Sequence, residues 1–275
     1  LTVLREMKGE DRSDIVRQLA RIEGVYAPGV TDGRVKRVFV ADLDESFHPL
    51  APPMPVVGSV HNRLNVEVSR GCGNGCRFCL AGFGYRPYRE RSFERVREIV
   101  DQSLARTGYE EVSLLSLTAG DYSDLFRTIA YIKEKHPGVS VSLPSLKIGS
   151  IGEAEIALIG GIARTGFTFA VEAASPGLRD RINKQIDTEE LLRHLPLMKS
   201  WGWRKLKLYL MTGFPWERDE DFESLRELMI RFRGWGIEVN LSVSPFTPKP
   251  HTPFQWLPMA REEELHERMV RIKEA

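Results

Sequence analysis

The pattern of apolar and polar positions changes at Arg63. Before it, residues 14–22 have the apolar spacing of an amphipathic helix, residues 35–40 are a β-branched run, and residues 47–55 are rich in proline. These patterns predict a short helix, a strand and an extended stretch. They predict no separate domain, and we expect residues 1–62 to be a linker that wraps the domain after it.

From Arg63 onward the chain repeats the order strand, loop, helix. Apolar runs predict strands at residues 64–69, 112–117, 139–143, 167–171, 206–211 and 238–244. Amphipathic stretches predict helices at residues 93–106, 122–135, 152–163, 177–183, 188–200 and 219–233. This alternation predicts an α/β fold with a parallel sheet covered by helices. Right-handed crossovers would curl the sheet into a barrel or leave it open and twisted, and periodicity does not separate the two.

The chain has only three cysteines, and all of them lie in one loop after the first predicted strand. Their spacing is Cys-x3-Cys-x2-Cys, and they are Cys72, Cys76 and Cys79. Cysteine thiolates are the usual ligands of iron–sulfur clusters. Three glycines between and before them would let the backbone take positive φ close to a cluster, namely Gly71, Gly73 and Gly75. Three thiolates would leave the fourth iron of a four-iron cluster open to a small molecule.

Other uses of these cysteines fit the pattern less well. Structural zinc usually has four tetrahedral ligands, and no second cysteine pair is present, although His61 is a candidate ligand outside the loop. An odd number of cysteines in a chain of 275 residues argues against a disulfide framework. The alternative to a catalytic cluster is an iron–sulfur module for electron transfer or RNA binding.

The cysteine loop, with Phe78 before its last cysteine, resembles the signature of the radical S-adenosylmethionine (SAM) superfamily. The longer run at residues 70–92 is similar to a narrower group in which a cobalamin-binding domain precedes the barrel. The resemblance implies a partial (β/α)6 TIM-like barrel of the radical SAM type at residues 63–257. The linker at 1–62 would precede it, and a helix at 258–275 would lead to a further domain.

This resemblance also implies a reaction. A 4Fe-4S cluster on the three cysteines would cleave SAM reductively, and the resulting 5′-deoxyadenosyl radical would abstract a hydrogen atom from a substrate. The electron would come from a donor such as flavodoxin or ferredoxin. Cobalamin-linked methylation, or modification of RNA or a natural product, is the expectation for the full-length protein. No Asp-x-His cobalamin motif is visible here, so cobalamin would require a domain outside this chain.

In parallel β/α barrels the functional groups lie at the carboxyl ends of the strands. The resemblance places SAM contacts there, at Phe78, Thr118, Gly120, Asp121, Glu172 and Gly213. Two further candidates are Ser145, a polar side chain at a strand end that suits ribose or carboxylate contacts, and Lys184, which would pair with the SAM carboxylate. Glu172 follows a wholly apolar strand, where a carboxylate is unfavourable unless it is paired. Structural roles are the alternatives: Asp121 as a helix N-cap, Ser145 and Gly213 in turns, and Glu172 in a salt bridge to an arginine.

Charge and composition limit the choice of partners. The chain has 39 lysines and arginines against 38 acidic residues, which argues against binding nucleic acid through bulk charge. Arginines and aromatic residues alternate at residues 85–97, a pattern that fits RNA binding through charge and stacking. Glutamates lie among them, so a solvated helix face with salt bridges is the alternative.

The remaining features concern location and extent. No apolar run is long enough to span a bilayer, and no secretory signal is present, so we expect no membrane partner. Cysteines gathered in one cluster loop favour a reducing cytoplasm. The chain begins at Leu1 and ends at Ala275 inside a predicted helix at residues 262–273, so we expect a longer polypeptide with flanking domains.

Overall fold

The structure is a computed structural model that describes residues 1–58, 62–142, 167–200 and 202–275. The chain divides into two compact units, Leu1–Ser46 and Phe47–Ala275. The first unit contains helices α1 (Thr2–Glu6) and α2 (Arg12–Leu19). Asp11 caps α2, because its carboxylate accepts a hydrogen bond from the backbone N–H of Ser13 at 2.8 Å.

The strand predicted at residues 35–40 does not form. The run has no regular secondary structure, and it pairs with none of the strands in the described part of the chain. Val38 and Phe39 in its centre are about half exposed, at 52% and 48%. β-branched residues favour a strand only where neighbouring strands and a buried face receive them, and this run has neither.

The second unit is built on parallel strands. In chain order the strands are β1 (Leu64–Glu67), β2 (Ser69–Arg70), β3 (Arg89–Glu90), β4 (Glu111–Leu115), β5 (Ser140–Ser142), β6 (Phe167–Glu172), β7 (Lys205–Thr212) and β8 (Glu238–Pro245). β1, β4 and β5 form one parallel sheet, and β6, β7 and β8 form another. β2 and β3 form a short antiparallel pair on either side of the cysteine loop.

Helices follow the strands as the sequence pattern predicts. They are α3 (Leu80–Gly84), α4 (Phe93–Thr107), α5 (Leu125–Lys135), α6 (Pro176–Ile182), α7 (Thr188–Ser200), α8 (Asp219–Gly234) and α9 (Glu262–Glu274). Ser92 caps α4, since its side chain accepts the N–H of Arg95 at 3.2 Å. The predicted helix at residues 152–163 lies outside the described residues. None of the described helices combines the length and apolarity needed to cross a membrane.

Alternation along the strands places the core between the sheets and their helices. In β7 the alternate residues Leu206, Leu208 and Leu210 are buried. Helix α4 contributes Ile99 and helix α5 contributes Ile129 to the same apolar cluster. Truncating a buried leucine of this kind to alanine destabilises a protein by roughly 2–5 kcal/mol, so the core fixes the strand ends firmly.

Candidate cluster and cofactor site

The cysteine loop leaves β2 through a residue that must be glycine. Gly71 has φ 91°, and a Cβ there would lie 2.6 Å from the carbonyl oxygens of both Tyr85 and Pro87. A Cβ on Gly75 would lie 2.9 Å from Nδ2 of Asn183, so a larger residue there would displace this side chain. Gly73 has open space and no left-handed backbone. The expectation of positive φ is therefore right for Gly71 and wrong for the other two glycines.

Helix α6 anchors this loop from the second sheet. Asn183, which ends α6 with φ 53°, donates a side-chain hydrogen bond to the carbonyl oxygen of Gly75 at 2.8 Å. The backbone N–H of Arg77 donates to the carbonyl oxygen of Ile182 at 2.9 Å, and its guanidinium donates to that of Arg181 at 2.6 Å. These contacts hold the cysteines, which follow the first sheet, close to the end of β6.

The three cysteines line one cavity of about 240 Å³. Four other predicted site residues line it as well, namely Phe78, Thr118, Glu172 and Lys184. The cavity also receives residues that the sequence did not single out, among them Asn74, Leu117, Gln185 and Ile186. Asn74 lies inside the cysteine motif and Gln185 follows Lys184, so proximity in sequence to predicted residues was the available signal.

The sulfur atoms are partly buried and receive hydrogen bonds. Nδ2 of Asn74 donates to Sγ of Cys72 at 3.5 Å, and the backbone N–H of Gly82 donates to Sγ of Cys79 at 3.4 Å. Burial raises the pKa of the Cys76 thiol, and the charge of Lys184 acts in the opposite direction. Such donors and charges stabilise thiolates that bind metal.

This arrangement fits a cluster better than a single ion. Within the described ranges, no three His, Cys, Asp or Glu side chains converge as the ligands of one metal ion would. In a 4Fe-4S cluster each thiolate binds a different iron, so its ligands need not converge. Three thiols around one cavity, two of them with N–H donors, therefore match the donor set of a cluster. His61, the candidate zinc ligand, lies outside the described residues.

Glu172 lies at an irregularity in the pairing of β6 with β7. The register of β6 against β7 shifts between Ala170 and Glu172, and Glu172 has φ 66°, an unfavourable backbone for a residue with a Cβ. Burial raises the pKa of its carboxyl, and the Lys184 ammonium, 3.9 Å from Oε1, opposes that shift. The charged partner is a lysine rather than the arginine considered from the sequence.

A buried arginine supports the chain directly after Glu172. The guanidinium of Arg179 donates to the carbonyl oxygen of Ala173 at 3.1 Å and also to that of Ala174. It donates further to the hydroxyl of Thr188 at 3.4 Å. Arg179 is only 5% exposed, so these contacts fix the segment in which Glu172 lies.

Asp121 and Gly120 lie beside the cavity without lining it. They belong to a 3-10 turn at Ala119–Asp121, and the carboxylate of Asp121 accepts a hydrogen bond from Nδ2 of Asn74 at 3.0 Å. The residue at the N-cap of α5 is Asp124, so the alternative of Asp121 as the helix cap is wrong. Asp121 instead contacts the cysteine loop.

Gly213 follows β7, the parallel neighbour of β6. Its backbone N–H donates to Oε2 of Glu217 at 2.7 Å, and a Cβ on it would lie 2.7 Å from a methyl of Leu265 in α9. It is not among the residues that line the cavity described above. Ser145 lies outside the described residues.

The arginine and aromatic run at residues 85–97 does not form one exposed surface. Arg91 is 1% exposed, and its Nε donates to the carbonyl oxygen of Glu67 at 3.0 Å. Arg86 donates to the carbonyl oxygen of Gly82 at 2.8 Å, and Arg95 forms a salt bridge with Glu98 at 2.5 Å. Arg86 and Arg91 thus bond to backbone carbonyl oxygens, whereas Arg95 on α4 forms a salt bridge of the kind that the alternative predicts.

Parallel strands that alternate with helices, together with three thiols at a strand end, are typical of an α/β protein that holds an iron–sulfur cluster. The family model described as the radical SAM superfamily matches residues 66–229. The chain belongs to the radical SAM superfamily, whose members are enzymes that use a 4Fe-4S cluster and SAM. The resemblance inferred from the cysteine loop is thereby confirmed, and a non-catalytic module is not favoured.

Individual relatives agree with this assignment. An uncharacterised protein of Methanocaldococcus jannaschii is 30% identical over 254 residues, 92% of this chain and 56% of its own length. A tRNA-2-methylthio-N(6)-dimethylallyladenosine synthase of Pelodictyon phaeoclathratiforme is 26% identical over 178 residues, 61% of this chain and 40% of its own length. The chain thus spans about half the length of the curated relatives it matches.

Solved structures show the same fold. The methyltransferase TsrM from Kitasatospora setae, a radical SAM enzyme solved with cobalamin and a 4Fe-4S cluster, superposes with a TM-score of 0.56 at 17% identity. The match covers 70% of this chain and 38% of TsrM. At this identity the likeness concerns the fold alone, and it confirms the predicted radical SAM barrel type.

Proposed function

We propose that this chain is the catalytic core of a radical SAM enzyme, with Cys72, Cys76 and Cys79 as ligands of three irons of a 4Fe-4S cluster. SAM would bind the fourth iron from within the adjoining cavity. The observation that carries the proposal is that three thiols and an acid–base pair, Glu172 and Lys184, line the same cavity. Chemical complementarity to SAM follows, since its methionine part presents one ammonium and one carboxylate.

The cavity walls supply the remaining contacts in this proposal. The ammonium of Lys184 pairs with the carboxylate of SAM, and the carboxylate of Glu172 accepts hydrogen bonds from its polar groups. Oγ1 of Thr118 is buried without a hydrogen-bond partner among the described residues, although Thr118 lines the cavity. A buried hydroxyl of this kind needs a partner, and a polar atom of SAM would provide one.

Held by Cys72, Cys76 and Cys79, a reduced cluster would supply the one-electron chemistry for reductive cleavage of SAM and hydrogen abstraction from a substrate. The chain orients SAM through Glu172 and Lys184 and tunes the thiolates through N–H donors. The electron would come from a donor such as flavodoxin or ferredoxin. Thiols that must stay reduced favour the cytoplasm as the location.

Removing one ligand tests the proposal. We expect Cys76→Ala, after anaerobic reconstitution with iron and sulfide, to lose the visible absorbance of the cluster and the cleavage of SAM. Gly73→Ala is the matched control within the same loop, because a Cβ there meets open space. SAM cleavage by an iron-free Cys76→Ala protein would refute the assignment.

Binding of SAM tests the cavity separately. We expect equilibrium dialysis of the reconstituted protein to detect SAM, and Lys184→Met to weaken the affinity about tenfold through loss of a charge-assisted hydrogen bond. A reconstituted cluster with no affinity for SAM would instead indicate an electron-transfer or RNA-binding module.

For the longer protein we propose cobalamin-linked methylation, or modification of an RNA or a natural product, with cobalamin held by a flanking domain. The name of the tRNA-modifying relative supports an RNA substrate, and that of TsrM, a methyltransferase solved with cobalamin, supports cobalamin-linked methylation. Methyl transfer to candidate substrates by the full-length protein, measured with and without cobalamin, tests it. Turnover that is unchanged by cobalamin would remove the cobalamin part of the proposal.

A further inference from the structure

Asn74 lies in the centre of the cysteine motif and contacts two acceptors at once. Its Nδ2 donates to Sγ of Cys72 at 3.5 Å and to Oδ2 of Asp121 at 3.0 Å. Asp121 comes from the turn after β4, whereas the cysteine loop follows β2. The amide therefore connects a proposed cluster ligand to a second strand end.

The contact with Asp121 determines which end of the amide faces the sulfur. A side-chain amide has a donor end and an acceptor end, whereas a carboxylate and a thiolate only accept hydrogen bonds. Asp121 therefore selects the NH2 end of Asn74, and the second N–H of that group reaches Cys72. The hydroxyl of Tyr88 lies 3.2 Å from the backbone carbonyl oxygen of Asp121 and 2.7 Å from Oε1 of Glu90, so this one O–H group links the turn to β3.

We propose that Asn74 tunes the reduction potential of the cluster through its hydrogen bond to Cys72, and that Asp121 is the positioning residue that orients this amide. The inference rests on the proposed function. One-electron reduction adds negative charge that is shared with the cluster sulfurs, and an N–H donor stabilises that charge. The donor therefore makes the cluster easier to reduce, and the low dielectric of a buried site strengthens its effect.

A potentiometric titration of the reconstituted protein tests the tuning, with dithionite as the reductant and the EPR signal of the reduced cluster as the readout. We expect Asn74→Leu to lower the ratio of reduced to oxidised cluster about tenfold at a fixed potential, a shift of about 59 mV for one electron. Asn74→Asp keeps the shape but has no N–H donor and adds charge, so its shift should be in the same direction and larger.

Asn183→Gly is the matched control. It removes another asparagine amide that holds the same loop, through the carbonyl oxygen of Gly75, and glycine tolerates the left-handed backbone there. Because this amide bonds to no sulfur in the described contacts, we expect the potential to change less than about twofold in the same ratio. If the role of Asn74 were purely structural, Asn74→Leu and Asn183→Gly would change the reduction potential by similar amounts.

The role of Asp121 requires a double-mutant cycle, since removing its charge alters the potential directly. In an Asp121→Asn background the amide is no longer held in one orientation, so Asn74→Leu should have less than about a third of its effect in the wild type. An equal effect in both backgrounds overturns the positioning role.

Other outcomes are also decisive. An unchanged potential in loaded Asn74→Leu protein overturns the tuning role. If both Asn74 variants lose the cluster while Asn183→Gly keeps it, Asn74 has a structural role, and this outcome also overturns the tuning role. Failure of the wild-type chain to hold any cluster would instead refute the proposed function.

Discussion

The neighbouring strands β6 and β7 have similar residues at their ends, but these residues lie in different surroundings. Each ends at a left-handed residue, Glu172 with φ 66° and Gly213 with φ 92°. Each end carries a buried glutamate with a basic partner, Glu172 with Lys184 at 3.9 Å and Glu217 with Arg268 at 3.3 Å. Burial raises the pKa of both carboxyl groups. Only Glu172 lines the cavity that holds the cysteines.

The two carboxylates differ in how their oxygens are bonded. Glu217 accepts the backbone N–H of Gly213 at 2.7 Å and the hydroxyl of Thr212 at 2.9 and 3.0 Å, besides its ion pair. Among the described residues, Lys184 is the charged group facing Glu172, and no hydrogen bond to the Glu172 carboxylate is formed there. The Glu172 side chain is 14% exposed, so a ligand can reach the acceptor positions that the fold leaves open.

Burial and a raised pKa therefore do not by themselves identify a functional carboxylate. Both glutamates have these properties, and one of them is fully engaged by its own fold. The number of acceptor positions that the protein leaves open is the better guide. By that measure Glu217 is engaged by its own fold, whereas Glu172 keeps the open acceptor positions that the proposed SAM site needs.

The largest expected effect is on the structural side. Glu217→Ala removes the acceptor of Gly213 and Thr212 and leaves Arg268 without its partner, so we expect a loss of roughly 3 kcal/mol in the free energy of unfolding. Urea unfolding of the cluster-free chain measures it. A loss below about 0.5 kcal/mol would show that the contacts of Glu217 do not stabilise the fold, and Glu217 would then not differ from Glu172 as described above.

Gly213→Ala should have the next largest effect. Alanine must adopt φ near 92° there, and we expect about 2 kcal/mol of destabilisation from that backbone. The nearby methyl of Leu265 can move, so steric contact adds less. Gly73→Ala is the control, because it has open space and no left-handed backbone, and it should be nearly neutral. Equal stabilities of the two variants would contradict this account of β7.

The sequence predicted most of the fold and pointed to the loop that we propose holds the cluster. Apolar runs located the six parallel strands, because parallel strands covered by helices are rich in apolar residues, such as Val112 and Leu114 in β4. The spacing of Cys72, Cys76 and Cys79 is local, so it can be recognised without any structure. The family assignment confirms the chemistry that this spacing predicted.

Tertiary contacts account for the parts that the sequence did not predict. Asn74 is one polar residue among many until Asp121, 47 positions away, accepts its hydrogen bond. Gly213 and Glu172 both follow apolar strands and both resemble family positions, but only Glu172 lines the cavity, while a Cβ on Gly213 would meet Leu265 of α9. The open acceptors of Glu172 depend on what surrounds it in space, which a linear pattern does not encode.

A smaller effect is expected at the binding end. Glu172→Gln keeps the shape and removes the charge, so we expect the affinity for SAM to fall about tenfold, equivalent to about 1.4 kcal/mol. Its unfolding free energy should stay close to wild type, because a buried charge with one distant partner adds little stability. Isothermal titration of the reconstituted protein measures the affinity. Glu217→Gln is the control and should bind SAM as the wild type does.

The smallest effect concerns pH and compares the two carboxylates directly. A glutamate whose pKa is higher in the folded chain binds its proton more tightly when folded. Its contribution to stability is present below its ordinary pKa of 4.5 and is lost as the pH rises through the folded value. The free energy of unfolding of the cluster-free chain should therefore decrease as the pH rises from about 4.5 toward neutrality, because these two carboxyl groups lose their protons as the pH rises.

Glu172→Gln and Glu217→Gln each remove one of these contributions. Glu172→Gln should flatten the slope of stability against pH more strongly, because only Lys184 opposes the effect of burial there. At Glu217, the Gly213 N–H, the Thr212 hydroxyl and Arg268 all favour the charged form. Urea unfolding at a series of pH values measures both slopes. If Glu217→Gln flattens the slope more, Glu217 is the less satisfied carboxylate, and the assignment of β6 as the binding end loses its physical basis.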